Sequence, residues 1–418
     1  MNEFPRPALL ASAMLAAVCL ASAVPASAEP AGIVSHKLDP DAAREAFGDQ
    51  EPVGPFRSRL PIIDEAQLSA MKSTGPAAGG GAGVSSQSDG AEVAVGPTAH
   101  GLAAIPYTTA RVAVTKPGFS KNKAMIPVTS RPYSTTGKLY IRFGAATFVC
   151  TASLVRKGVL VTAAHCVSNF GAGELGMATA ATWYPSQFKG NKKGRPFGGF
   201  NAINIFVPST YLDGTDTCDA GAPGVVCNND IATIALAKQK VQFKTVKGRK
   251  KKGSKFPGQV VGTYLYGFNG YSYVTTPADL GNAYAAQITQ LGYPVAFDGG
   301  NQMQRTDSIG FRVTGGNLVN TWIGSAQTGG SSGGPWLANF GTRPKVSASQ
   351  ASLGFDSTPN VVVGVTSYGV NSPTNYNFQG ASFFGQNFEY PNADYGGWGA
   401  GNIGALLWVT CQQEPASC

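Results

Sequence analysis

The sequence predicts an all-β protein whose folded part consists of two packed β-barrels. Short segments rich in β-branched and aromatic residues recur from about residue 126 onward, separated by Gly, Pro, Asn and Asp. Only 13% of the 418 residues are charged and 54 are glycine, which suits an exported chain with many tight turns. Almost no helical period interrupts this alternation of strand and turn, and such a pattern over so long a stretch fits two barrels.

The first 28 residues have the pattern of a secretory signal peptide. An apolar run, ALLASAMLAAVCLASAV, follows Arg6, and Ala26-Ser27-Ala28 provides a small-residue cleavage pattern. The run is too short and too rich in alanine for a membrane anchor. We therefore expect cleavage after Ala28, a secreted (extracellular or periplasmic) protein, and no membrane span in the mature chain.

Residues 29–125 differ in composition from the rest of the chain. They include Pro- and Ala-rich segments and the low-complexity stretch GPAAGGGAGVSSQSDG at 75–90, and they contain no cysteine. Such a composition buries too little apolar area to fold well alone. We expect a largely disordered leader, which is either a plain extension or the propeptide of a zymogen, and a folded domain at 126–418.

Candidate strands of the folded domain are short and bounded by turn residues. They are KLYIRFG, ATFVCTASLV, GVLVTAA, NAINIFV, DIATIAL, QVVGTYLYG, AAQITQLGYP and VVVGVTSYGV.

Six cysteines remain once the signal peptide is removed, and an even number in an exported chain predicts three disulfides. They are Cys150, Cys166, Cys218, Cys227, Cys411 and Cys418. Sequence alone allows about fifteen connectivities, and the spacings favour pairs of nearest neighbours. A zinc site is the competing interpretation, but the cysteines are scattered and no CxxC pair occurs. We expect neither a metal ion nor a cofactor.

The formal net charge of +9 comes from two local stretches of the chain. Lysines and arginines cluster at 189–195 and at 244–255. No aromatic residues interleave with these charges, so solvated loops are favoured over a contact with a polyanion, and no nucleic-acid partner is expected.

The stretch TGGSSGGPW at 328–336 surrounds two serines with glycine. A serine hydroxyl needs a neighbouring base before it becomes a good nucleophile, and histidine titrates in the useful range. His36 and His100 fall in the leader, which leaves His165, in LVTAAHC, as the base for the folded domain. Gly-Ser linkers do not lie between strands and end in proline and tryptophan, so the stretch indicates chemistry.

TAAHC, DIATIAL and GSSGGP, in this order, resemble the trypsin-like serine proteases of the chymotrypsin fold. The similarity extends from about Tyr133 to Gly369, and PYSTTGKLYIRF, CTASLV and LGYP are most similar to the bacterial secreted branch that includes the glutamyl endopeptidases. The resemblance implies two packed six-stranded antiparallel barrels, a serine endopeptidase acting on proteins or peptides, and a monomer.

Each catalytic role is implied at one position of this sequence. Ser332 corresponds to the nucleophile, and Ser331 occupies a place usually held by an acid. His165 becomes the general base and later the general acid, and Asp230 the carboxylate that orients it. The backbone N–H groups of Gly330 and Ser332 would form the oxyanion hole, and the glycines allow the sharp turn that this requires.

Asp230 is the best carboxylate candidate because it stands at the head of an apolar strand, where it could be partly buried and held. Its competitors, Asp213, Asp216 and Asp219, crowd a loop that contains glycine and cysteine, and they have the appearance of surface turn residues.

Substrate binding is expected along Ser367-Tyr368-Gly369, which resembles the edge segment to which such proteases add a peptide strand. The pocket would lie between Ala326–Gly330 and this segment. SAQTGG supplies no acid to pair with Lys or Arg, and Thr366 stands where relatives that select Glu often use histidine. We therefore expect a neutral pocket.

Two other classes of function remain open from the sequence. The chain could be a catalytically silent secreted binding protein on the same fold, which a serine-reactive phosphonate would reveal. It could also be a Ser–His esterase, although the GxSxG enzymes require the order Ser, Asp, His and a parallel sheet. This chain has the opposite order.

Overall fold

Strands make up most of the regular structure. The structure is a computed structural model that describes residues 32–47, 57–58, 60–63, 105–114, 126–244, 250–341, 358–370 and 378–418. The predicted signal peptide and the low-complexity stretch 75–90 lie outside the described residues.

The strands, in chain order, are β1 Ile33–Lys37, β2 Arg57–Ser58, β3 Ile62–Ile63, β4 Tyr107–Arg111, β5 Thr136–Phe143, β6 Ala146–Arg156, β7 Val159–Thr162, β8 Ala180–Pro185, β9 Phe200–Pro208, β10 Ala232–Leu236, β11 Gln239–Lys244, β12 Lys250–Lys255, β13 Leu265–Tyr266, β14 Val274–Thr275, β15 Tyr284–Gly292, β16 Gln304–Gly315, β17 Leu318–Gly324, β18 Pro335–Ala338, β19 Val361–Val365, β20 Tyr368–Val370 and β21 Phe378–Ser382. The α-helices are α1 Pro40–Phe47, α2 Ala164–Val167, α3 Ser209–Asp213, α4 Gly258–Val261 and α5 Gly401–Gln413. Single 3-10 turns occur at Tyr133–Thr135, Gly173–Gly176, Lys192–Gly194, Ala278–Leu280, Asp298–Gly300 and Gly396–Trp398.

The first barrel is a closed ring of six antiparallel strands in the order β9-β10-β7-β6-β5-β8, which the pairing of β8 with β9 completes. Side chains of alternate residues point inward, as a pleated strand requires, and Leu139, Leu154, Leu160 and Ile205 are fully buried there. This barrel confirms the first of the two predicted.

The second sheet system follows the strand order β19-β18-β15-β16-β17-β21 and is antiparallel along this path. Short strands extend it: β13 next to β19, β20 and then β3 beyond β21, and off this path β14 beside β15 and β4 beside β16. The all-β class and the arrangement of two packed sheet systems are therefore confirmed, and the second system is larger than six strands because edge segments add to it.

Two segments differ from the predicted secondary structure. QVVGTYLYG, predicted as one strand, begins as the short helix α4 and becomes strand only at β13. Pro257 starts the helical turn, and Gly262 ends it with a φ of +86°, which glycine adopts without strain. The C-terminal helix α5 was not predicted. Most of its residues are buried on all sides, so the sequence lacks the alternation of apolar and polar faces that identifies a surface helix.

Parts of the expected leader are ordered in the structure. Strand β1 pairs with β9 of the first barrel, β2 with β6, and β4 with β16 of the second system. Helix α1 buries Ala43 and Phe47 in a cluster that contains Tyr140. The composition predicted a largely disordered segment. The three strands are ordered because β9, β6 and β16 each have a stretch of backbone N–H and C=O groups that no other strand pairs on that side.

The cysteines pair as nearest neighbours: Cys150–Cys166, Cys218–Cys227 and Cys411–Cys418. The basic stretch 244–255 was expected as a loop. Its described part instead belongs to a two-stranded hairpin of β11 and β12, and residues 245–249 lie outside the described residues. No described helix is long and apolar enough to cross a membrane.

Candidate active site

The structure brings His165 and Asp230 together between β7 and β10. His165 lies on α2, directly after β7, and Asp230 precedes β10, which pairs with β7. The ring Nδ1 lies 2.7 Å from Asp230 Oδ2. An ionised carboxylate accepts hydrogen bonds and cannot donate them, so Nδ1 carries the proton and Nε2 is left as the basic nitrogen.

Three groups hold the Asp230 carboxylate, which is fully buried. Besides the imidazole ring, the backbone N–H of His165 donates to Oδ1 at 2.8 Å. The hydroxyl of Ser367 donates to Oδ2 at 2.5 Å. The sequence had placed Ser367 only in substrate binding, and the structure adds this contact with the carboxylate.

The disulfide Cys150–Cys166 ties the residue next to His165 to the middle of β6. Thr151, the next residue of β6, donates its backbone N–H to the carbonyl of Ser332 at 2.7 Å. The same strand therefore anchors both the helix of the candidate base and the loop of the candidate nucleophile.

The loop 328–334 packs closely against Thr162 and Ala163, which precede His165 in the chain. Gly333 has a φ of +74°, and a Cβ there would lie 1.9 Å from Thr162 Oγ1 and 2.9 Å from the Ala163 amide nitrogen. No other residue could approach so closely, which explains one of the glycines.

Gly330 has a φ of +97°, and a Cβ there would lie 2.5 Å from the carbonyl oxygen of Tyr293. The Thr151 hydroxyl donates to the Gly330 carbonyl at 2.8 Å and fixes this peptide from behind. Within the described residues, the N–H groups of Gly330 and Ser332 donate to no protein acceptor. Both remain available to an oxygen outside the chain.

Ser332 is fully buried, and its hydroxyl has no hydrogen-bond partner within the part of the chain that the structure describes. The Ser332–His165 hydrogen bond of a complete relay is therefore not formed here, whereas the His165–Asp230 bond is. The neighbouring Ser331 does have partners: its hydroxyl donates to the carbonyl of Thr328 at 2.7 Å and accepts from Gln379 Nε2 at 3.1 Å.

The predicted substrate segment lies at β20, opposite β21. Thr366, Ser367 and Tyr368 are fully buried, and Ala326 is partly exposed. Tyr368 accepts a hydrogen bond from Trp322 Nε1 at 2.8 Å, and burial raises the pKa of its phenol well above the ordinary value. Gly369 contributes its backbone to strand β20.

The trypsin family model matches residues 125–383, which is more than half of the chain. The chain belongs to the trypsin family. It is a serine endopeptidase by this membership, and the matched residues include His165, Asp230 and Ser332.

Solved structures that resemble this trypsin-family chain are proteases of low sequence identity. The protease Anisep from Arthrobacter nicotinovorans is 21% identical with a TM-score of 0.40, over 60% of this chain and 91% of that one. The thermostable serine protease AL20 from an extremophilic microorganism is 20% identical with a TM-score of 0.41, over 60% and 92%. A Glu endopeptidase is 18% identical with a TM-score of 0.37, over 62% and 87%. A search of curated proteins returned no match.

Several site residues of this trypsin-family member were not identified from its sequence. Thr151 holds the Gly330 carbonyl, and three buried glutamines, Gln290, Gln327 and Gln379, lie beside Ser331 and Thr366. Of these glutamines only Gln290 lies in a predicted strand, AAQITQLGYP, and a single glutamine there or in a loop carries no motif.

Asp216, interpreted from the sequence as a surface turn residue, is buried and contacts Asn229, the residue before Asp230. Its carboxyl oxygens accept from the Asn229 backbone N–H at 2.8 Å and from Asn229 Nδ2 at 2.7 Å. Desolvation by burial, followed by the nearby charge of Glu389, raises the pKa of Asp216 to about 8. Asp213, by contrast, is exposed as expected.

Proposed function

We propose that this serine endopeptidase is secreted and cleaves peptide bonds through Ser332, His165 and Asp230, with an acyl-enzyme intermediate. Three observations together carry the proposal: the buried His165–Asp230 pair, a serine whose hydroxyl has no partner among the described residues, and two backbone N–H groups that donate to no acceptor among them. These are the parts that acyl transfer requires: a base of fixed tautomer, a nucleophile and donors for an oxyanion.

In the proposed reaction the Ser332 oxygen attacks the substrate carbonyl carbon while its proton passes to His165 Nε2. Because no described residue competes for the Ser332 hydroxyl, it can donate to this nitrogen. The N–H groups of Gly330 and Ser332 would donate to the negative oxygen that forms. Asp230 stabilises the imidazolium without taking its proton.

The tetrahedral intermediate then collapses, the C–N bond breaks, and the leaving amine takes the proton from His165. A water molecule next attacks the acyl ester, giving its proton to His165 and regenerating Ser332 as the acid product leaves. Export is supported by the N-terminal pattern and by the three disulfides, which persist in oxidising compartments.

Labelling with a small fluorophosphonate tests the proposal directly. Phosphonylation should be located by mass spectrometry on Ser332 and should be lost in His165→Ala. Ser331→Ala serves as the matched control and should label at nearly the parent rate. Attachment to Ser331, or no attachment at all, would contradict the proposed mechanism and favour a silent binding protein.

The esterase alternative is distinguished by matched ester and anilide substrates with the same acyl group. An endopeptidase should hydrolyse both, because His165 can protonate an amine leaving group. Hydrolysis of the ester alone would support the esterase.

A further inference from the structure

A buried glutamine lies where the side chain of a cleaved residue would enter. Gln379 faces Gly369 across the β20–β21 pair and is 1% exposed. Its Nε2 donates to the carbonyl of Gln327 at 2.6 Å and to Ser331 Oγ at 3.1 Å. The side chain therefore bridges from the substrate edge to the loop of the nucleophile, across the space in which the pocket was expected.

The amide of Gln379 is fully satisfied in this position. Its Oε1 accepts a hydrogen bond from Gln290 Nε2, which also reaches Thr366 Oγ1 at 2.7 Å. Ser325 in turn donates to Gln290 Oε1 at 2.7 Å. Moving Gln379 aside for a large ligand would leave these buried donors and acceptors unpaired, which is unfavourable.

The side chains of the hydrogen-bonded network around Gln379 are neutral: Gln290, Ser325, Gln327, Ser331, Thr366 and Gln379. A lysine, arginine or glutamate side chain entering here would lose its water without gaining an opposite charge. A large aromatic side chain would meet the amide of Gln379.

We propose that Gln379 restricts the pocket to small uncharged side chains, of the alanine or glycine class, at the residue whose carbonyl Ser332 attacks. The inference rests on the proposed function and specifies its substrate class. Gln379 acts here by filling space, and its truncation should change selectivity more than the rate on the preferred substrate.

The test compares kcat/KM for peptide anilides that differ only in the residue before the scissile bond: Ala, Phe, Glu or Lys. The parent enzyme should prefer Ala over Phe by roughly tenfold or more, and Gln379→Gly should shift this ratio toward Phe by about tenfold. Gln379→Ala should give a smaller shift of the same sign. Gln386→Gly, an exposed glutamine of another loop, is the matched control and should leave the ratio unchanged.

Two results would overturn the inference: a parent preference for Phe, Glu or Lys, or an unchanged ratio in Gln379 variants that melt at the parent temperature. Failure of the proposed function is distinguishable, because then no anilide is cleaved and a fluorophosphonate does not label Ser332.

A segment of the predicted leader, Leu60–Ile63, lies along strand β20. Strand β3 pairs in parallel with β20, with Ile62 opposite Gly369, and the Gly369 N–H donates to the carbonyl of Pro61 at 2.9 Å. This edge is the one to which a peptide substrate would add as a strand. The leader segment therefore uses a donor that a substrate would need.

Side chains of the same segment strengthen the contact. Leu60 is 9% exposed, and its Cδ2 lies 3.1 Å from the position of a Cβ on Gly369. Ile63 is 1% exposed and packs in a cluster with Trp322 and Tyr368, whereas Ile62 is 52% exposed.

The segment also avoids the position of a cleavable substrate. The Pro61 carbonyl is bound by Gly369, and no described carbonyl accepts from the N–H groups of Gly330 or Ser332. We infer that Leu60–Ile63 is an intramolecular block of the substrate edge, which excludes extended peptides while leaving its own peptide bonds out of reach.

Labelling of the intact full chain with two probes tests this block. A small fluorophosphonate needs only Ser332, whereas a tetrapeptidyl phosphonate must also pair with β20. Leu60→Asp should accelerate the peptidyl probe by about tenfold or more, as expected when a blocked state becomes the minority. The small probe should react equally with both chains. Ile63→Ser should act like Leu60→Asp, and Ile309→Asp, at an exposed isoleucine of β16, is the matched control.

Equal rates of the peptidyl probe in all four chains would overturn the block, as would an equal acceleration by Ile309→Asp. If the small probe labels none of the chains, it is the proposed function that fails.

Discussion

The two sides of the candidate site are held by different forces. On the His165 side, a disulfide flanks the ring, and the buried carboxylate of Asp230 accepts three hydrogen bonds. On the Ser332 side, neutral hydrogen bonds and glycine backbone hold the loop 328–334, and within the described residues neither a disulfide nor an ion pair touches it.

The difference follows from what each side must do. The base changes charge during the proposed reaction, so a fixed opposite charge and a covalent tie keep it in place. The nucleophile loop must leave two N–H groups unpaired for the substrate, so it is held through its carbonyls and through Ser331 instead. Four predictions test this contrast.

The largest expected effect separates the two serines of the loop. Ser332→Ala should lower kcat/KM for a peptide anilide by about 10⁴-fold or more, because it removes the nucleophile. Ser331→Ala removes two neutral hydrogen bonds, one to the Thr328 carbonyl and one from Gln379 Nε2, and should retain most of the activity. Equal losses would mean that the Ser331 contacts order the loop far more strongly than neutral hydrogen bonds normally do.

The second prediction concerns the buried acid on the His165 side. The folded-state pKa of Asp216, about 8, lies above the ordinary value of 3.8. Between these values the unfolded chain has lost the proton that the folded chain keeps. The free energy of unfolding should therefore fall as pH rises from about 4 to about 8, on the order of 6 kcal/mol in total.

Urea unfolding in the Ser332→Ala background avoids autolysis and measures this dependence. Adding Asp216→Asn should flatten the curve over the same pH range. An unchanged slope would show that Asp216 is ionised in the folded protein at low pH.

The third prediction compares two disulfides. Replacing Cys150 and Cys166 by alanine should cost about 3 kcal/mol of unfolding free energy, because the bridge closes a loop with a sequence separation of 16. Replacing Cys411 and Cys418, separated by 7, should cost about 2 kcal/mol. Only the first pair should also lower kcat, since it adjoins His165. A loss of kcat in the second pair would contradict a local role for the first.

The smallest expected effect belongs to Ser367. Ser367→Ala leaves Asp230 with its two contacts from His165 and should reduce kcat/KM roughly three- to tenfold. Asp230→Asn, measured in parallel, should cost far more, about 10⁴-fold, because the imidazole would lose its orienting charge. Equal losses in the two variants would mean that the hydrogen bond from Ser367, and not the charge of the Asp230 carboxylate, orients the His165 ring.

The sequence by itself determined the features that depend on local chemistry. The alternation of strand and turn predicted the all-β class. The motifs around His165, Asp230 and Ser332 follow one another in the order that is typical of the trypsin family. The glycines of the loop could be interpreted from their neighbours, because a tight turn imposes its conformation on its own residues. The short spacings between the cysteines likewise favoured nearest-neighbour disulfides, because residues close in the chain are also close in space.

The tertiary structure alone decided the features that depend on distant partners. Gln379 reaches Ser331 because β21 pairs with β20 and brings a glutamine of an ordinary strand beside the loop of the nucleophile. Leu60 and Ile63 are ordered because an edge of the second sheet system accepts them, although their own stretch cannot bury enough apolar surface to fold. The raised pKa of Asp216 likewise depends on burial within the fold and on the charge of Glu389, which comes from a distant part of the chain. A contact between two segments far apart in the chain stabilises both of them, but it leaves no periodicity or motif in the sequence of either one.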